Sequence, residues 1–258
     1  METNNAYLNS FEQFIKELTG FSESPQTLEI PSTPTIRASQ CWKLFVDARK
    51  KGELSETTKD LAISTIANAI GLASEVASVY LEKGVTLEEQ AIELYNSFAS
   101  KNYIKNEVIF RSPELSGTPD IIDEESEEVI DIKTSFSFES HLKNIIQAQN
   151  EVKREYYYQL QAYMLLTGKR AAKLIYVLLP TPDDILQRQA RALEFKGNSY
   201  DEVLEGLKKQ NSLIEKLPLS LRVKEFQVVS DNEFKTNFFE RYEKFKEYYQ
   251  TLIEIIKN

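Results

Sequence analysis

The sequence predicts a mixed α/β (α+β) fold, a central mixed β-sheet flanked by helices, with a helical N-terminal region and a C-terminal extension. Three observations lead there. Residues 115–123 and 128–134 are strand-like runs joined by Glu124-Glu125-Ser126-Glu127, a polar stretch of hairpin-loop length. In the second run Ile130 and Ile132 alternate with Asp131 and Lys133, the period-two pattern of a strand with one apolar face. Residues 173–179 form a strongly apolar run that reads as a central strand. The helical stretches 138–147 and 152–167 precede it, the second closed by Gly168.

The remaining elements follow in chain order. Residues 6–19 carry Leu8, Phe11, Phe14, Ile15 and Leu18 on one helical stripe, and residues 22–35, with Pro25, Pro31 and Pro34, read as a linker. Ser39 is placed to cap a helix running to about residue 50, burying Trp42, Phe45 and Val46. Residues 55–83 read as mostly helical with a break near Gly71. Thr86-Leu87-Glu88-Glu89 has capping-box form: Glu89 would reach back to Thr86, while Glu88 shares a protein-facing side with Ala91, Ile92 and Tyr95. Residues 103–112, 191–196 and 222–229 read as strands and 200–216 as a polar helix. In the last helix Phe238, Tyr242, Phe245, Tyr249, Leu252 and Ile256 recur at spacings of four and three, a stripe expected to pack on the domain. The whole chain, 1–258, is expected to be a single domain: an N-terminal helix and linker (1–35), a core (36–180) and a C-terminal extension (181–258).

The hairpin holds the chemistry. With residues 124–127 as the loop, the antiparallel register pairs Asp123 with Glu128, Ile121 with Ile130 and Asp120 with Asp131. Facing carboxylates normally destabilise a sheet. A divalent cation between them converts repulsion into coordination, and Mg²⁺ takes one or two protein carboxylates while leaving room for phosphate and water. Lys133, on the same face, is placed to hold a nucleophilic water or to offset charge on a scissile phosphate. The Asp-x-Lys tripeptide alone says little, since Glu151-Val152-Lys153, Glu194-Phe195-Lys196 and Glu233-Phe234-Lys235 also occur. Its plain alternative is an exposed strand-face ion pair.

Taken together, Pro119-Asp120 and Asp131-Ile132-Lys133 resemble the motif of the PD-(D/E)XK nuclease superfamily. Gln159-Leu160-Gln161-Ala162-Tyr163 is similar to the Q-x-x-x-Y helix motif of its RecB-type and lambda-exonuclease-like (YqaJ-like) branch. Glu88, Ala91, Ile92 and Tyr95 resemble the helix that carries an additional metal-binding Glu. Ile36-Arg37-Ala38-Ser39 resembles an N-terminal Ile-Thr-Ala-Ser segment near a 5′-phosphate pocket, departing from it at Arg37. The resemblance covers about residues 35–180. It implies Mg²⁺ or Mn²⁺ held by Glu88, Asp120, Asp131 and the Ile132 carbonyl. Lys133 would act on the water, and Gln159 and Tyr163 would orient Lys133 or the substrate; Arg37, Ser39, Lys153 and Arg154 are candidates for substrate binding. It further implies a 5′→3′ exonuclease on double-stranded DNA ends, a homotrimer, and a single-strand annealing recombinase as partner. A structure-specific or restriction-like endonuclease, a non-catalytic DNA-binding module and a structural metal protein are the alternatives.

Composition bounds these readings. The chain has 258 residues, with 41% hydrophobic and 28% charged, an ordinary globular mixture. No apolar run reaches membrane-span length and no signal peptide precedes Phe11. The single cysteine, Cys41, excludes an internal disulfide framework and a four-cysteine iron–sulfur cluster, and fits a reducing cytoplasm. The single histidine, His141, excludes a two-histidine metal site and reads as a surface residue early in a helix. A net charge of −9 opposes general affinity for DNA. Yet Lys143, Lys153, Arg154, Lys169, Arg170 and Lys173 cluster against only Glu151 and Glu155, a basic strip beside the acidic hairpin.

Overall fold

The computed structural model describes residues 30–72 and 79–257, so the expected helix over 6–19 lies outside the described residues. From the N-terminus come strand β1 (Ile36–Arg37), a 3-10 helix (Ala38–Phe45), and helices α1 (Glu56–Ala69), α2 (Val79–Thr86) and α3 (Glu88–Ala99). Three short strands and one long one follow as β2 (Phe110–Arg111), β3 (Leu115–Gly117), β4 (Ile121–Asp123) and β5 (Glu128–Ser135), then α4 (Phe138–Asn150), α5 (Arg154–Thr167) and β6 (Ala171–Leu178). The chain ends with α6 (Asp183–Glu194), α7 (Tyr200–Ile214), α8 (Leu219–Arg222), β7 (Val223–Val229) and α9 (Phe234–Lys257). Residues Pro31–Asn258 group as one unit.

The spine is a four-stranded mixed sheet in the order β4-β5-β6-β7. The hairpin forms as its pattern requires: residues 124–127 are the turn, and Ile121 pairs with Ile130 and Asp123 with Glu128. β5 and β6 run parallel over eight residues each, so α4 and α5 make the crossover that a parallel pair needs. As expected, β6 is central, with Leu174, Ile175, Tyr176, Val177 and Leu178 fully buried. Ile121, Ile130, Ile175, Val177 and Val223 join Leu87, Ala91, Ile92 and Tyr95 of the α3 region in one apolar cluster on one sheet face. α5 packs on the opposite face. A smaller sheet, β1-β3-β2, sits beside it.

Several expectations are corrected. Ser39 does not cap an α-helix: it lies inside the 3-10 turn, whose N-cap is Arg37 without a side-chain bond. Thr86 closes α2 instead of opening the next helix. Leu87 is the N-cap of α3, because a one-residue connection leaves no room for a capping box. Residues 103–112 contribute only the two-residue β2. The run 115–123 is divided between two sheets at Thr118-Pro119, where proline lacks the ladder donor. Residues 191–194 are the end of helix α6, whose buried Ile185, Leu186 and Ala190 set a helical period that the local strand reading of 191–196 missed. The break near Gly71 is real, with φ +74°. His141 is buried, not exposed: Nδ1 lies 2.9 Å from Ser135 Oγ and Nε2 3.1 Å from Leu221 O. Burial pushes its pKa down to about 4, so it is a neutral tie between α4 and its neighbours. The C-terminal helix packs on the domain as expected through Phe238, Tyr242, Phe245 and Tyr249. It continues through Ile253 rather than Leu252, and Ile256 is exposed. Among the described residues no helix is long and apolar enough to cross a membrane.

Candidate active site

β4 is only three residues long, and the ladder stops at Ile121–Ile130. Asp120 therefore does not face Asp131 as the next rung. Its side chain takes the place of the missing strand: Asp120 Oδ2 accepts a hydrogen bond of 2.6 Å from the N–H of Ile132. Beyond this point β5 is paired on one side only, with β6, and its other edge opens into a cavity. Asp131 and Lys133 lie on one face of β5, as alternation demands, with Lys133 Nζ 2.7 Å from Asp131 Oδ2. The Asp131 side of this pair is 2% exposed, which sets it apart from an ordinary surface ion pair.

Gln159 and Tyr163, one turn apart on α5, come down on this face. Gln159 Nε2 donates to Asp131 Oδ1 (3.2 Å) and to the Tyr163 hydroxyl (2.8 Å), which donates to the carbonyl of Thr118 (3.2 Å). Their direct partners are Asp131, which pairs with Lys133, and the Thr118 carbonyl in the segment leading to Asp120. Gly117 is needed for this approach, because a Cβ there would lie 2.7 Å from Tyr163 Cε1 and 2.9 Å from Ala38 Cβ.

The electrostatics are those of a charged group short of compensation. Burial, then the neighbouring charge of Asp131, pushes the pKa of Asp120 up to about 7, against the opposing pull of Lys133 and the Ile132 N–H. Burial would lower the pKa of Lys133, but the charges of Asp131 and Asp120 outweigh it and hold the ammonium protonated. Asp131 Oδ2 is buried and faces the Lys133 ammonium.

The open edge of β5 borders a cavity of about 590 Å³ lined by Glu88, Asp120, Ile132, Lys133, Asn144, Lys153 and Tyr156 among others. Glu88, on the first turn of α3, reaches this cavity but is held by Lys105 at 2.9 Å. Among the described residues no three acidic, histidine or cysteine side chains converge as a metal cluster, so the expected Glu88–Asp120–Asp131 trio is not assembled. Lys105 lies in the stretch read as a strand, and nothing in its local sequence signals this pairing. Tyr156 meets two cations, with Lys133 Nζ 5.2 Å and Lys153 Nζ 5.8 Å from its ring centroid. Its spacing three residues before Gln159 was the available signal. The basic strip is largely spent internally: Lys143 pairs with Glu139, Lys169 with Glu124 and Lys173 with Glu128. Arg154 donates to the Phe45 carbonyl and stacks on Tyr158, outside the cavity lining, while Lys153 remains in it. Arg37 and Ser39 are exposed, and Arg37 lines a separate hollow with Gln40, Asn68, Arg111 and Ser116.

The residues fit a hard divalent cation. Two carboxylates and a peptide carbonyl offer only oxygen ligands, and the two carboxylates share a single ammonium, a deficit of positive charge.

Comparison with known proteins agrees with this geometry. A model of the YqaJ-like viral recombinase domain matches residues 35–170, more than half of the chain and every residue of the site just described. The chain belongs to the YqaJ-like viral recombinase family. A phage-related exonuclease from Haemophilus somnus 129PT is similar in structure, with a TM-score of 0.73 and 26% sequence identity, over 86% of this chain and 96% of that one. LHK-Exo, an alkaline exonuclease from Laribacter hongkongensis, matches with a TM-score of 0.59 at 16% identity, over 88% of this chain and 93% of its own. The same protein in complex with dAMP matches at 0.60. At that identity the second likeness concerns the fold alone. No curated protein sequence matches. The mixed sheet flanked by helices is thus the exonuclease-like nuclease fold that the motifs of this YqaJ-like chain imply.

Proposed function

We propose that this protein is a divalent-metal-dependent exonuclease that hydrolyses duplex DNA from its ends in the 5′→3′ direction. The observation that carries the reading is the meeting of Asp120, Asp131 and Lys133 at the one-sided end of β5, two carboxylates beside a single ammonium. Membership of a viral recombinase family and likeness to a phage-related exonuclease support it. Asp120, Asp131 and the Ile132 carbonyl would hold Mg²⁺ or Mn²⁺. Such an ion lowers the pKa of a bound water and neutralises charge on the scissile phosphate. Asp120 would give up its proton to serve as a ligand. Lys133 donates to the charge that develops on the phosphate or positions the attacking water. Gln159, itself held by Tyr163, keeps Asp131 Oδ1 occupied, while Oδ2 faces Lys133 and the cavity side of the pair. Glu88, paired with Lys105, would join the set only on releasing that lysine. Lys153 and Tyr156 border the same cavity and receive the strand backbone.

The test is a purified-protein assay on linear duplex labelled at either end and on covalently closed circles, with and without Mg²⁺. The expected result is Mg²⁺-dependent loss of the 5′ label from linear DNA with circles intact. Cut circles identify an endonuclease, first loss of the 3′ label reverses the polarity, and binding without cleavage leaves a DNA-binding module. The proposal extends to a homotrimer working beside a single-strand annealing recombinase, checked by light scattering and co-purification.

A further inference from the structure

Helix α2 carries a lysine where an apolar residue would be expected. Lys83 is 1% exposed. Its Nζ donates to the carbonyls of Ser135 (3.1 Å), Phe136 (2.9 Å) and Leu179 (2.9 Å), and lies 5.7 Å from the centroid of the Phe136 ring. An ammonium has three protons, and all three are used. Burying such a group is costly unless its bonds are made, and among the described residues no carboxylate pairs with it. Burial pushes its pKa down to about 8, so the group remains charged at neutral pH.

The three acceptors share a location. Ser135 ends β5, Phe136 follows it, and Leu179 follows the end of β6, so they mark the C-terminal edge of the parallel pair where the ladder stops. The other end of the link is as specific. The Lys83 carbonyl accepts the N–H of Leu87 (3.1 Å), the residue immediately before Glu88. Gly84, Val85 and Glu88 line the same cavity as Asp120, Ile132 and Lys133. One side chain thus ties the wall that bears Glu88 to the strand that bears Asp131 and Lys133. We propose that Lys83 is a positioning residue of the active site, a three-legged tie that sets the separation between Glu88 and the Asp120–Asp131–Lys133 group. A methionine of similar length would fill the space but gather no carbonyls.

This inference rests on the metal-nuclease reading above. The experiment compares wild type, Lys83→Met and Lys83→Arg in the full chain, measuring kcat, KM for linear duplex, the Mg²⁺ concentration for half-maximal rate, and Mn²⁺ binding by calorimetry without DNA. Expected for Lys83→Met is a fall in kcat of about 10–100-fold, as for small misplacements of reacting groups. Weaker Mn²⁺ binding and a higher Mg²⁺ requirement should accompany it, with KM for DNA within about twofold; Lys83→Arg should recover part of the loss. If Lys83→Met does not fold, Lys83→Gln, which keeps two donors, takes its place. A folded variant with wild-type kcat and Mn²⁺ binding overturns the proposal. So does failure of both variants to fold, which makes Lys83 a support of the fold rather than of the site. A wild-type protein that cleaves no DNA with Mg²⁺ instead refutes the nuclease reading, a result independent of any variant.

Discussion

Asp120 and Asp123 stand three residues apart at opposite ends of one short strand, and their carboxyls are shifted in opposite directions. Both are disfavoured as anions by burial. At Asp123, the side chain and N–H of Ser126, the Tyr103 hydroxyl and the N–H of Glu125 overcome that cost and bring the pKa down to about 2. At Asp120 there is one backbone N–H, and the nearest strong influence after burial is a second carboxylate, so the pKa rises to about 7. Glu128, opposite Asp123, follows the first pattern: Gln227 and Lys173 hold its pKa low against burial. The turn end of the hairpin is electrostatically complete. The other end is short of positive charge, and that deficit is what a divalent cation supplies.

Substitution of the charge at each end should break the comparison most sharply. Asp120→Asn keeps an acceptor for the Ile132 N–H but removes the anion, so Mg²⁺-dependent cleavage of linear duplex should fall by about a thousandfold or more. The metal-free melting temperature should rise, because repulsion with Asp131 is relieved. Lys133→Ala should lower the rate to a similar degree while DNA binding in a gel-shift assay persists. Asp123→Asn should leave the rate within about threefold, since its role is structural. Loss of cleavage in the last variant, or its retention in either of the first two, would reverse the assignment of the two ends.

The next effect is a competition between proton and metal. Below pH about 7 Asp120 retains a proton that an ion must displace. Apparent Mg²⁺ affinity, read by calorimetry, should therefore rise about tenfold per pH unit up to that point and then level. In Asp120→Asn this slope should vanish.

Smaller effects concern stability. Because the folded pKa of Asp120 lies above the unfolded value, its contribution is most favourable in acid and is lost as pH rises from about 4 through about 7. Asp123 has the opposite sign: its contribution is present above the ordinary carboxylate range and is lost as pH falls towards about 2. Urea midpoints of metal-free protein across this range should show both limbs, with Mg²⁺ removing only the first. Asp123→Asn should cost about 1–3 kcal/mol at neutral pH through unsatisfied donors. Gly117→Ala should cost a similar 1–3 kcal/mol by forcing Tyr163 off the Thr118–Asp120 segment, and should reduce cleavage along with stability.

The parts of the molecule legible in the sequence are those governed by neighbours in the chain. The 124–127 turn, the alternation of Ile130, Asp131, Ile132 and Lys133, the Gln159/Tyr163 face and the Gly168 stop all follow from local periodicity and backbone preference. His141 misled because nothing near it in sequence reveals Ser135 and Leu221 as its partners. The capping motif at Thr86 misled because it ignores the helix that already ends there. Lys105 and Lys83 gave no signal, since their acceptors lie 17 to 96 residues away.

The order of residues by itself determined which chemical groups are available and on which side of which element each one stands, because side-chain direction in a strand or helix is a matter of counting. Only tertiary structure decided where β4 stops, that Gln159 and Lys133 divide the two oxygens of Asp131 between them, and that Glu88 rests on Lys105. Those outcomes depend on which distant groups compete for each hydrogen bond and how much water is excluded around them, and neither quantity is encoded in local spacing.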